Sequence, residues 1–206
     1  MKKKVLVSAG ALALAVGVTA AGTLAYLQDN TDAVTNNFTY NAASQNVSLT
    51  LFEHKLNADG LTVGSEEIAE GASQDYKIIP GATAVKDPTL RVTSGDTKVY
   101  VYAEVVETDS GEVLTPNMAD GWTELEDVAG ANGGTVYVLT ASQSGGVNTG
   151  MQDGEAKTAD YKVLESVTYA SSMDEDKTGS IVVYGYVVDA VAGADAGDVY
   201  TATFNA

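Results

Sequence analysis

Two ten-residue runs constrain this chain more than anything else in it. Thr97-Lys98-Val99-Tyr100-Val101-Tyr102-Ala103-Glu104-Val105-Val106 is dense in β-branched and aromatic residues and alternates with a period of two. Ser180-Ile181-Val182-Val183-Tyr184-Gly185-Tyr186-Val187-Val188-Asp189 is apolar almost throughout. Alternation belongs to strands, whose side chains change face at every residue. A continuous apolar run belongs to a strand covered on both faces or nearly so. Shorter strand candidates are Asn37–Tyr40, Val47–Phe52, Thr89–Thr93, Thr135–Leu139, Lys162–Tyr169 and Val199–Phe204. Turn clusters separate them, among them Asn57-Ala58-Asp59-Gly60, Ser94-Gly95-Asp96 and Asn132-Gly133-Gly134. Pro80-Gly81 reads as a turn, with Pro at its second position and Gly supplying positive φ at its third. Asp87-Pro88 reads as the start of a strand. No sustained 3.6-residue period is visible after residue 25; short helical turns fit only near 117–128 and 153–160. The polar, Gly-rich stretch 141–160 reads as a long exposed loop. Many short strands with Gly-rich connections predict an all-β fold, an antiparallel β-sandwich or barrel.

The first residues stand apart. Lys2-Lys3-Lys4 precede an apolar stretch, Val5 to Ala21, that ends in small residues. A basic start, a short apolar segment and small residues describe a secretory signal peptide; the other reading is an uncleaved anchor. The best cleavage position is between Ala25 and Tyr26, after Thr23-Leu24-Ala25. Residues 1–25 are therefore expected to form a cleavable signal helix and residues 26–206 a single β-sandwich domain, with the membrane met only during export.

Charge and residue types narrow the function. Twenty-eight Asp and Glu face 11 Lys and Arg, a formal charge of −17. Losing the three signal lysines takes this to −20, a polyanion that nucleic acid repels. No cysteine is present, so the exported domain has neither disulfides nor a thiolate nucleophile. The one histidine, His54, leaves little for acid–base chemistry near neutral pH. A zinc protease site of the His-Glu-x-x-His type is missing, and His54 with Glu53 and Asp59 offers no ligand spacing in its place. No Gly-x-Ser-x-Gly elbow accompanies His54 either. Asp174-Glu175-Asp176 and the group Asp189, Asp195 and Asp198 supply hard oxygen ligands of the kind calcium takes, though without EF-hand spacing. Asp174, Asp176, Asp195 and Asp198 are the candidates there, and no other cofactor is indicated. Trp122 and the 11 tyrosines are material for a sugar-stacking platform, but Tyr100 with Tyr102, and Tyr184 with Tyr186, share strand faces that read as core.

Four segments in order carry a resemblance. Gly22-Thr23-Leu24-Ala25-Tyr26-Leu27-Gln28-Asp29-Asn30 is followed by Val34-Thr35-Asn36-Asn37-Phe38-Thr39-Tyr40 and Asn46-Val47-Ser48-Leu49-Thr50-Leu51-Phe52-Glu53. Next comes Ile79-Pro80-Gly81-Ala82-Thr83-Ala84-Val85-Lys86-Asp87-Pro88-Thr89-Leu90-Arg91-Val92, leading into Val99-Tyr100-Val101-Tyr102. Gly121-Trp122 and the late run Val183–Ala190 complete the order. The chain resembles the TasA/camelysin family of Gram-positive secreted proteins over about residues 1–190. It departs from the family at 123–178 and at Ala42-Ala43-Ser44.

The resemblance implies a jelly-roll β-sandwich exported through a signal peptide cut by a SipW-type peptidase. It implies subunits that polymerise with copies of themselves into cell-surface or biofilm-matrix fibres, the freed N-terminal segment entering a neighbour as a strand. Residues 26–40, with Phe38 and Tyr40, are the candidate donor strand; folding back as an ordinary first strand is the alternative. The family name also implies a camelysin-like surface metalloendopeptidase. A third reading is an adhesin or carbohydrate-binding sandwich.

Overall fold

Residues of alternating character need two different surroundings, and the strands of this protein provide them. A computed structural model describes residues 38–42, 45–68, 74, 76, 79–108, 113–171 and 179–205. Residues 1–37, with Ala25 and Tyr26, lie outside these, as do Asp174 and Asp176. The described strands run in chain order β1 (Phe38–Ala42), β2 (Gln45–Leu56), β3 (Val63–Ile68), β4 (Thr83–Val85), β5 (Thr89–Thr93), β6 (Val99–Thr108) and β7 (Leu114–Met118). They continue with β8 (Trp122–Ala129), β9 (Thr135–Leu139), β10 (Met151–Gln152), β11 (Glu155–Ala156), β12 (Thr158–Lys162), β13 (Leu164–Tyr169) and β14 (Ser180–Asp189).

The pairings are antiparallel and build a sandwich-like all-β fold, as the strand pattern predicts. One sheet has the order β1-β2-β5-β12, with β3 also on β2; a second is β14-β6-β9-β8; a third is β4-β13-β7. Val47, Leu49 and Leu51 of β2 and Leu90 and Val92 of β5 meet Val99, Val101, Ala103 and Val105 of β6 in the main core. The sheets come so close that a Cβ on Gly185 would sit 2.3 Å from Leu90 Cδ2. The even positions of β6 face the other way. Tyr100 and Tyr102 join Tyr186, Val136 and Val138 in a second core. The strands are thus covered on both faces, as the apolar run of β14 predicts; β6, whose sequence reads as alternating, is buried on both faces from Val99 to Val105 as well. A third cluster of Ala84, Val113, Leu114, Val167 and Tyr169 lies on the small sheet.

Pro80-Gly81 makes the expected turn: Gly81 has φ +74°, and the Ala82 amide donates to the Ile79 carbonyl at 2.9 Å. Other expectations are corrected. Residues 117–128 and 153–160 are strands and hairpin, and the stretch 141–160 contains the β10–β11 hairpin. Lys162–Tyr169 is two strands in different sheets, β12 and β13, parted at the buried Val163.

The largest correction is Val199–Phe204, which belongs to a nine-residue helix, Ala196–Phe204. Asp195 caps it, accepting from Gly197 N at 2.8 Å and Asp198 N at 3.4 Å. Asp198 in the first turn complements the helix dipole. Tyr200 and Phe204, four apart, have ring centres 5.0 Å apart at a tilt of 48° and lie on the second core. Asp195→Ala should cost about 1 kcal/mol, the usual worth of such a cap, measured by urea unfolding. No described helix is long and apolar enough to cross a membrane.

Candidate functional site

Two segments that carry the family resemblance meet at the end of β2. The β2–β5 register pairs Phe52 with Thr89. Continued two steps, it sets His54 opposite Asp87. Pro88 has no amide to donate, and the Asp87 side chain takes over the pairing: Oδ1 accepts from the His54 amide at 3.1 Å. His54 Nδ1 lies 2.7 Å from Asp87 Oδ2, with Asp87 buried. Glu53, on the inward face of β2, pairs with Lys86 Nζ at 2.6 Å. The Lys86 ammonium lies 5.3 Å from the centre of the Tyr76 ring. Burial, then the charges of Glu53 and Asp87, push the Tyr76 phenol far above its ordinary range. Gln74 closes the cluster from the side. Its amide donates to the His54 carbonyl at 3.0 Å and accepts from the Leu56 amide, so a side chain replaces a strand neighbour.

The outward face of the same sheet carries a second network. Arg91 on β5 forks to Asp160 of β12, with Nε–Oδ1 at 2.9 Å, and to Glu67 of β3, with Nη2–Oε1 at 2.9 Å. Its guanidinium covers the Phe52 ring at 4.2 Å. Three strands are tied by one planar cation. Hydrogen bonding from Arg91 holds Glu67 below the usual carboxylate range. What this pair contributes is present above that range and is lost as pH falls through the lowered value.

The residues weighed for protease chemistry do not converge. His54 and Glu53 belong to the cluster, each already engaged. Asp59 lies in the β2–β3 turn, where Oδ1 accepts from the Leu61 and Thr62 amides, both at 2.9 Å. Among the described residues no group of three or more His, Asp or Glu is arranged to hold a metal ion. Of the calcium candidates, Asp195 serves as the helix cap and Asp198 is exposed beside it. Trp122 packs against the main core and donates from Nε1 to the Lys162 carbonyl at 2.7 Å.

Phe38 and Tyr40 lie in β1, at the end of its sheet. The backbone of β1 pairs with the chain's own β2, Phe38 opposite Leu49 and Tyr40 opposite Val47.

One site was not anticipated. Glu104 on β6 is fully buried in the second core. Its Oε1 accepts from the amides of Asn132 at 2.7 Å and Gly134 at 2.9 Å. Its Oε2 accepts from Tyr186 OH at 2.6 Å, Asn132 Nδ2 at 3.0 Å and Tyr200 OH at 3.3 Å. The sequence signal was a lone carboxylate at an inward position of an apolar run, a polar group that must find partners when buried.

No protein-family profile, curated protein or solved structure matches the chain.

Proposed function

We propose that this chain is a secreted structural protein, a TasA-like subunit of extracellular fibres, assembled by exchange of the N-terminal strand. The observation that supports this reading most directly is the position of β1. It closes its sheet at one end, its only strand partner among the described residues is β2, and it contains no charged residue. The edge and register that bind it within one chain are equally available to the β1 of a second copy. Exchange therefore conserves the backbone pairing while linking subunits head to tail. The export signal and the ordered family segments agree with this reading, and a SipW-type peptidase would free the donor. A charge near −20 on each exported subunit opposes contact, so protonation of carboxylates or screening by cations controls assembly.

Purified residues 26–206 are expected to stay small at neutral pH and low salt, and to form fibres visible by electron microscopy when the pH is lowered or calcium is added. Phe38→Asp with Tyr40→Asp, which puts charge on the exchanged strand, should abolish the fibres while leaving the circular dichroism of the domain intact. A protein that remains monomeric under every condition refutes the proposal.

A further inference from the structure

An exported chain without cysteine can still tie its strands together covalently, through an amide between a lysine and a carboxyl side chain. The reaction needs the two groups in contact and shielded from water. The Lys86–Glu53 pair meets these conditions. Nζ and Oε1 are 2.6 Å apart, with side chains only 12% and 19% exposed. The Lys55–Glu66 pair, by comparison, is 59% and 71% exposed, and Lys162–Glu165 is 41% and 63%. The Tyr76 ring roofs the ammonium. Asp87, the residue after Lys86, is buried and joined to His54.

We propose that Lys86 and Glu53 condense into an intramolecular isopeptide bond between the end of β2 and the entry to β5. A proton passes from Nζ to the Glu53 carboxylate it touches, and the freed amine attacks Cδ. The new bond is C–N; the bond that breaks is from Cδ to one oxygen, which leaves as water carrying the second amine proton. Ammonium and carboxylate become amide and one water, and nothing is oxidised or reduced. The link closes the chain between residues 53 and 86, and it restrains the unfolded state as a disulfide of that span does.

The test is the intact mass of the full chain, measured under denaturing conditions and compared with the mass for its observed N-terminus. The expected result is a deficit of one water, with a branched tryptic peptide joining Lys86 to Glu53. Glu53→Ala and Lys86→Arg should each restore the full mass. An unmodified wild-type mass overturns the proposal. So does a lost water that maps to a cyclic imide at Asp59-Gly60, Asp120-Gly121 or Asp153-Gly154, or a deficit that survives either substitution. Because the wild-type mass decides the matter, a variant that fails to fold does not, and the outcome is independent of whether fibres form.

Discussion

Glu104→Ala is expected to destabilise the domain by about 4 kcal/mol, a large part of the total for a domain this size. The carboxylate accepts from two backbone amides, one side-chain amide and two phenols. Alanine takes the carboxylate from all five donors, of which Asn132 Nδ2 keeps a second acceptor in Tyr186 OH at 2.8 Å, each such loss being worth about 1–3 kcal/mol before water or repacking recovers part of it. Glu104→Gln keeps the shape but turns one acceptor end into a donor, and should cost about 2 kcal/mol. Urea unfolding followed by near-ultraviolet circular dichroism of the tyrosines measures both. If the two variants prove equally mild, the five contacts do not hold the second core together. The turn from 130 to 134 is shaped to this carboxylate. A Cβ on Gly130 would lie 2.3 Å from Glu104 Oε1, and one on Gly134 2.5 Å from the Val105 carbonyl oxygen.

The second large effect is expected at Tyr200. Its ring is fully buried, 5.2 Å from Tyr102, 5.5 Å from Tyr186 and 5.0 Å from Phe204. Tyr200→Ala removes the anchor of the Ala196–Phe204 helix and should cost about 4 kcal/mol, as aromatic-to-alanine changes in cores do. The helix should then come away from the sheet, and limited proteolysis should cut within residues 190–195 while the rest of the domain resists. Tyr200→Phe keeps the packing and loses the bonds to Glu104 and from the Ala131 amide, an effect of about 1 kcal/mol. Since Tyr200 and Glu104 share a hydrogen bond, the double alanine variant should cost less than the sum of the single ones. Simple additivity would mean that helix and carboxylate act separately.

How far the fold was legible follows from where the decisive contacts lie. β6 and β14 could be read because alternation and apolar content are properties of consecutive residues. The Pro80-Gly81 turn could be read because one φ angle selects glycine. The helix at 196–204 could not. Val199-Tyr200-Thr201-Ala202-Thr203-Phe204 has strand propensities and is too short to display a helical period. What makes it helical is the Asp195 cap and an aromatic bed supplied by Tyr102 of β6 and Tyr186 of β14. Likewise, β3, β4, β7 and β8 are weak patterns that become strands through their partners. The cluster at Glu53, His54, Lys86 and Asp87 was visible as two separate motifs, but only the β2–β5 register puts them side by side. Glu104 was not legible as a site, because its donors are scattered from Asn132 to Tyr200.

The closing of the second core by residues 196–204 has a consequence for timing. Synthesis delivers β6 well before these residues. Until they emerge, Glu104 lacks a phenol and the tyrosine face of β6 and β14 lies open, so the emerging chain cannot settle into its final state. β14, the long partner of β6, is also a late arrival. The second core is therefore completed only once Ala196–Phe204 has followed β6 and β14 and docked on both.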